Sequence, residues 1–146
     1  MNYRKWLLED LENLERRRFS ITQMESELET IDAEYAAIKA TNYDKVIVQS
    51  SGNAQEEKLL TAIAKKEELQ ANLKATRMFV EDMDRLLGQL TDEENQVIYH
   101  MCILREKNAV TRLCEDLNYE KTRIYGIRNE ALTHLAHLRF GKGYQI

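Results

Sequence analysis

Apolar residues in the first part of the chain recur with the spacing of a coiled-coil helix. From Asn2 to about Ala40 they alternate steps of three and four, with one gap at Arg18. The apolar positions are Leu7, Leu11, Leu14, Ile21, Met24, Leu28, Ile31, Tyr35 and Ile38. This pattern predicts one long helix with a narrow apolar seam, which is typical of coiled coils rather than of globular helices.

A second seam predicts another long helix from Gln55 to about Leu87. Its positions are Leu59, Ala62, Lys66, Leu69, Leu73, Thr76, Val80, Met83 and Leu87. Because Lys66 and Thr76 interrupt the seam, we expect this helix to fold back on the first as an antiparallel helical hairpin. Gly88 follows as a candidate C-cap. Two helices would leave apolar surface exposed, so the pattern also predicts a homodimer or higher homo-oligomer through these helices.

The segment between the two seams predicts a loop over about residues 41–54. It contains the helix-disfavouring residues Asn42, Asp44, Ser50, Ser51, Gly52 and Asn53. The β-prone run Val46–Val48 lies inside it and predicts an extended piece. We expect that piece to pack on the hairpin or to pair with a partner strand.

After residue 88 the pattern changes to short amphipathic segments. Thr91 predicts a helix N-cap, and Glu94 stands three residues later as a capping box requires. Three apolar groups follow, separated by a polar break at Arg105–Asn108 and by Asn118-Tyr119. They are Val97, Ile98, Met101 and Cys102; then Val110, Leu113, Cys114 and Leu117; then Ile124, Ile127, Ala131, Leu132 and Leu135. Short helices joined by a tight turn predict a helix-turn-helix.

The residues around this turn resemble a known family. The pairs Leu113-Cys114 and Leu117-Asn118, followed by Ile124 and Ile127, are similar to the helix-turn-helix in region 4 of bacterial sigma factors. They resemble still more closely the RinA- and ArpU-type late-gene transcription regulators of phages of Gram-positive bacteria. Cys114, Asn118 and Glu120 replace the family's usual Ala, turn Gly and Ser cap. Asn tolerates a left-handed turn conformation, whereas Glu is a poorer helix cap.

The resemblance implies a sequence-specific DNA-binding regulator of phage or prophage late genes, expected to be an activator, with a recognition helix in the major groove. The residues implied to contact double-stranded DNA are Lys121, Thr122, Arg123, Tyr125 and Arg128 on that helix, with Thr111 and Arg112 bracing the phosphate backbone from the preceding helix. The expected architecture is all-α, with a coiled-coil hairpin over residues 1–88 and a sigma region 4-like domain over residues 89–146.

Alternative functions remain open. A small terminase subunit also joins a helix-turn-helix to an oligomerising helical part, and a ring-shaped oligomer would favour it. A coiled-coil interaction protein, such as an anti-sigma factor, would act without binding DNA. Contact with RNA polymerase is a further possibility, because region 4 of sigma factors binds both promoter and polymerase.

Composition and charge agree with a helical protein. The chain has no proline, five glycines and 32% charged residues, so the usual helix breakers are scarce. The net charge of −4 argues against a protein that coats nucleic acid. From Asn118 onward, however, five basic residues face two acidic ones. This modest basic excess suits duplex DNA, especially if dimerisation doubles it.

The sequence offers little support for an enzyme. It has no glycine-rich phosphate loop, no metal-binding Cys or His motif and no serine in a nucleophile context. His134 and His137 are three residues apart but have no third ligand nearby. Cys102 and Cys114 are expected to be reduced thiols. No apolar run is long enough to cross a membrane and no signal peptide appears, so we expect no membrane association. We also expect no metal or cofactor, and a location in the cytoplasm of a bacterial host.

Overall fold

The computed structural model describes residues 2–44 and 52–141, and this part of the chain is helical without any strand. The helices are α1 (Tyr3–Asp44), α2 (Gly52–Leu87), α3 (Asp92–Ile98), a π-helical turn (Tyr99–Ile103), α4 (Ala109–Leu117) and α5 (Lys121–Phe140). The predicted all-α class is therefore confirmed. Within the described ranges, no helix has the length and apolar character needed to cross a bilayer.

Both long helices extend into the segment predicted as a loop. The prediction of a loop over 41–54 is wrong at both ends, because α1 continues to Asp44 and α2 begins at Gly52. Each unfavourable residue costs a helix only about 1 kcal/mol or less, and without proline that cost does not stop a long helix. The predicted extended run Val46–Val48 lies outside the described residues.

Gly88 follows the end of α2, but its backbone is not left-handed. Its φ lies outside the positive region, which among the described glycines only Gly141 adopts. Instead, the Gly88 N–H donates to the Asp84 carbonyl at 2.9 Å, and Gln89 and Leu90 make similar short-range bonds. The expected glycine C-cap is therefore replaced by a tight turn with ordinary backbone angles.

The chain divides into two compact units. Unit 1 comprises Met1–Arg18 and Phe79–Ile146, and unit 2 comprises Phe19–Met78. The predicted boundary between residues 88 and 89 falls inside unit 1. The N-terminal end of α1 and the C-terminal end of α2 thus belong with the short helices that follow them.

In unit 1, the start of α1 packs with the end of α5. Leu7, Leu11 and Leu14 of the predicted seam have no exposed surface. Arg139 forms an ion pair with Asp10 at 2.9 Å, and the rings of Tyr3 and Phe140 lie 5.1 Å apart. Burial of each aliphatic side chain contributes about 1.5–3 kcal/mol to unit 1, and the ion pair and ring contact join the start of α1 to the last helix.

In unit 2, two ion pairs join the long helices. Glu25 pairs with Arg77, and Asp32 pairs with Lys66 at 2.7 Å. A step forward along α1 corresponds to a step backward along α2, so the helices are antiparallel here. Thr76 is buried in the seam, where its hydroxyl donates to the Asn72 carbonyl at 2.8 Å and so satisfies its polar atom.

Candidate nucleic-acid interface

The short helices of unit 1 begin at a capping box. The Glu94 N–H donates to Thr91 Oγ1 at 3.2 Å, and the Thr91 N–H donates to Glu94 Oε1 at 3.1 Å. This confirms the prediction at Thr91. The reciprocal bonds satisfy two backbone donors at the start of α3 and fix the direction in which its apolar face points.

α3 continues into a π-helical turn that the sequence did not predict. The Leu104 N–H donates to the Tyr99 carbonyl at 2.8 Å, which is the five-residue spacing of a π-helix. The wider turn buries Cys102 and Ile103. Arg105 then takes a positive φ of 53° and ends the helix. Residues 105–108 are non-helical, as the polar break predicted.

α3, α4 and α5 share one apolar cluster. Val97, Leu113, Ile124 and Ile127 form its buried centre. The residues packed around it are Met101, Val110, Cys114, Leu117 and Tyr119. All of these except Tyr119 are apolar positions from which the sequence predicted three helices; Tyr119 was predicted to lie in the break between the second and third. The cluster therefore sets how α5 is held against α4.

The connection between α4 and α5 is short and has a left-handed residue. Asn118 has φ 58° and ψ 40°, a conformation that Asn adopts more readily than most residues. The left-handed turn conformation expected at Asn118 is therefore present. Glu120 occupies the N-cap of α5, and its side chain makes no capping bond. As expected, it is a poor cap.

Tyr119 ties this connection to α3. Its hydroxyl donates to Glu93 Oε1 at 2.7 Å. That hydrogen bond, and secondarily the carboxylate charge, raises the pKa of Tyr119. On the same side, the Arg123 guanidinium lies 5.7 Å from the Tyr119 ring centroid, within cation–π range. The Tyr119 side chain thus connects the short segment between α4 and α5 both to α3 and to the first residues of α5.

The side chains implied to contact DNA are mostly on the surface. Lys121, Thr122 and Arg123 are exposed in the first turn of α5, and Tyr125 is 47% exposed. Thr111 and Arg112 are exposed on α4. Ile124 and Ile127 on the same helix as Lys121, Thr122 and Arg123 are buried in the apolar cluster. The cluster therefore holds α5 in place while these polar side chains face outward.

Thr111 and Tyr125 meet at a shallow cleft of about 410 Å³. Its wall includes Arg105, Lys107 and the first residues of α4. The structure thereby places Thr111 of α4, which is implied to brace the DNA phosphate backbone, next to Tyr125 of α5, which is also implied to contact DNA. Arg123, on the Tyr119 side of α5, does not line this cleft.

Arg128 differs from the other implied contacts because it faces inward. It is half-buried, and its side chain interacts with the Cys102 thiol. Burial raises the pKa of Cys102, while Arg128 acts in the opposite direction. The Arg128 side chain therefore lies at the contact between α5 and the π-helical turn.

The charges near the cleft are partly neutralised. Arg105 pairs with Glu12 at 2.7 Å, and Arg112 approaches Glu106 at 3.7 Å. Within the described part of the chain, Lys107, Lys121 and Arg123 form no ion pair. These three cations are therefore free to meet an anionic partner.

Gly126 is a candidate that the sequence analysis missed. It lies within α5, and a Cβ added there would meet nothing within 4 Å. A glycine inside a helix costs roughly 0.5–1 kcal/mol relative to alanine. Since no neighbour in the described structure requires it, close approach of a partner would explain its presence. A glycine inside a predicted recognition helix was the available signal.

The remaining candidates for chemistry lie apart. His134 and His137 are exposed, and the described residues contain no cluster of three or more metal-ligating side chains. Cys102 is buried and Cys114 half-buried, both as free thiols. No protein-family model, curated protein or solved structure matches the chain.

Proposed function

We propose that the protein is a sequence-specific DNA-binding transcription regulator of phage or prophage late genes. α4 and α5 act as a helix-turn-helix, and the first half of α5 enters the major groove. The observation that carries this proposal is the exposure of Lys121, Thr122 and Arg123 immediately before the buried Ile124 and Ile127. A recognition helix needs this combination of a fixed apolar base and outward polar side chains.

The residues have distinct roles in this proposal. Lys121 and Arg123 bind phosphates or the acceptor edge of guanine, and Thr122 reaches base edges. Tyr125 packs on a sugar or a thymine methyl group. Thr111 and Arg112 contact the phosphate backbone from the side of α4. Arg128 joins these contacts only if its side chain leaves the Cys102 thiol.

Electrostatics favours this surface locally. The N-terminus of α5 carries partial positive charge from its backbone dipoles, and Glu120 caps none of its N–H groups. Glu120 itself opposes a phosphate, so we expect moderate affinity per subunit and strong dependence on salt.

We propose further that α1 and α2 form a coiled-coil hairpin through which the protein self-associates. Two copies would present two α5 helices to one duplex and double the phosphate contacts. The late-gene context follows from the resemblance. The proposal needs no metal, cofactor or catalytic centre, and it locates the protein in the cytoplasm of the bacterial host.

The test is an electrophoretic shift on DNA upstream of the protein's own gene and of late operons, at two salt concentrations. We expect a specific, salt-sensitive complex that the Lys121→Ala/Arg123→Ala variant loses. The matched control is Lys74→Ala/Arg85→Ala, which removes the same charge from exposed positions on α2. Equal loss of DNA binding in both variants would indicate a general effect of charge rather than recognition by α5.

Other outcomes separate the alternatives. Failure to bind any of these DNA fragments at low salt would reject the regulator and favour a coiled-coil interaction protein. Binding together with a ring of many subunits would favour a small terminase subunit. Binding only in the presence of RNA polymerase would favour a sigma-like contact with that enzyme.

A further inference from the structure

The seam of α1 is buried to different extents along its length. In unit 1, Leu7, Leu11 and Leu14 have no exposed surface. In unit 2, every described apolar position of the same seam is only half-buried; these are Ile21, Met24, Leu28, Ile31, Tyr35 and Ile38. A pair of helices covers one side of such a seam, and full burial needs a further layer.

The two sides of the helix pair in unit 2 are not equivalent. One side carries the ion pairs Glu25–Arg77 and Asp32–Lys66. The other side contains a groove of about 660 Å³. The groove is lined by Ile31 and Ile38 and by the charged residues Glu34, Glu57, Lys58 and Lys65. It therefore has an apolar floor and charged edges.

Several charged residues along this groove make no ion pair with the described part of the chain. Glu34 on α1 and Lys58 and Lys65 on α2 line its edges, and Glu27 lies two helical turns before Glu34 on the same face. None of these four residues makes an ion pair within the part of the chain that the structure describes. They are available to a molecule that covers the groove.

The two helices carry opposite charge. Residues 19–41 of α1 contain five acidic residues and one lysine, a net charge of −4. Residues 54–78 of α2 contain four acidic and five basic residues, a net charge of +1. Two of these bases, Lys66 and Arg77, already pair with α1 of the same chain. Complementarity between copies therefore depends on the groove charges, Lys58 and Lys65 of one copy against Glu27 and Glu34 of the other, whereas α1 against α1 is repulsive.

We infer that a second copy of this chain covers the groove, with α1 of each copy lying over α2 of the other. Residues 19–41 span about 35 Å, and two helices about 10 Å wide present roughly 700 Å². A standard protein interface buries about 800 Å² per partner, so the face has a suitable size. This inference rests on the self-association that belongs to the proposed function, and it adds the surface through which the copies associate. Dimer formation can be measured without DNA.

Charge-swap variants test this arrangement by analytical ultracentrifugation. The first is Glu27→Lys/Glu34→Lys, and the second is Lys58→Glu/Lys65→Glu. Each places like charges across the proposed contact, so each should associate with itself at least about tenfold more weakly than wild type. Mixing the two should restore a dimer, because both contacts are then complementary. The chain with all four substitutions should also dimerise.

A control separates this effect from general charge repulsion and from unfolding. Glu29→Lys/Glu68→Lys makes the same charge change as the first variant at exposed residues outside the groove, and it should associate as wild type does. Circular dichroism should find helix in every variant. A monomeric wild type, or a mixture that stays monomeric while both variants are helical, would overturn the inference. A dimer that binds no DNA would leave it intact and reject only the regulator.

Discussion

The Tyr119 hydroxyl donates a hydrogen bond to Glu93 Oε1 across 2.7 Å and so joins the base of the α4–α5 turn to the first turn of α3. The two residues are 26 positions apart, and no local pattern links them. Because Arg123 stacks on the same ring, this single bond influences both the turn and an implied DNA contact.

Replacing Tyr119 with Phe removes this bond but keeps the ring beneath Arg123. We expect a lower melting temperature and a smaller loss of DNA affinity than Arg123→Ala causes. Glu93→Gln should be milder in stability, because an amide oxygen still accepts the hydrogen bond. Thermal denaturation and the electrophoretic shift measure the two effects. A larger affinity loss in Tyr119→Phe than in Arg123→Ala would contradict the assigned roles.

The same bond predicts a pH dependence at the alkaline end. Glu93 raises the pKa of Tyr119. When folding raises a pKa, the resulting stabilisation is fully present below the pKa of the unfolded chain, about 10 for tyrosine. It is lost as the pH rises through the pKa of the folded protein. The stability difference between wild type and Tyr119→Phe should therefore be constant near neutral pH and shrink above about pH 10. Tyrosinate absorbance should assign a lower pKa to Tyr119 in Glu93→Gln. An unchanged pKa there would rule out Glu93 as the cause.

Asn118 should tolerate glycine but not a β-branched residue. Its φ of 58° lies in the left-handed region, where ordinary L-residues are strained by about 1–2 kcal/mol. We expect Asn118→Val to destabilise by about that amount and Asn118→Gly to change stability by less than about 1 kcal/mol. Urea denaturation compares them. Equal stability of the two variants would mean that the turn relaxes to another conformation.

Much of the helical fold was predictable because it depends on local spacing. The seams of α1 and α2, the capping box at Thr91 and the left-handed Asn118 each follow from residues within about two helical turns. Their positions agree with the structure because packing and propensity favour the same conformation.

The predicted ends of the long helices were wrong for a local reason, because the weak helix breakers at Thr41–Asp44 do not stop a long helix. Other features depend on contacts between distant residues and were not predictable. The π-helical turn, the Tyr119–Glu93 bond and the inward Arg128 depend on how α3 and α5 pack. The grouping of Leu7 and Leu14 with the last helix arises from the same tertiary contacts.

Leu14 and Ile38 both lie in the seam of α1 and should respond differently to truncation. Leu14 is fully buried, so Leu14→Ala should cost about 2–5 kcal/mol at any protein concentration. Ile38 is half-buried within one chain and lines the groove, so Ile38→Ala should cost less in the monomer. If a second copy covers Ile38, the cost of Ile38→Ala should grow with protein concentration. Urea denaturation over a concentration series measures both costs, and a concentration-independent cost of Ile38→Ala would argue against that burial.

Substitutions at Gly126 can distinguish an effect on protein stability from an effect on DNA binding. Alanine fits there without contact within 4 Å and is the better helix former, so Gly126→Ala should stabilise the protein by about 0.5–1 kcal/mol. If DNA approaches this face of α5, the added methyl should still weaken binding, and Gly126→Leu should weaken it further. Denaturation and the electrophoretic shift together distinguish the effects. If Gly126→Ala raises stability but lowers affinity for DNA, the DNA contacts this face of α5 closely. Unchanged affinity in both variants would exclude Gly126 from the DNA contact.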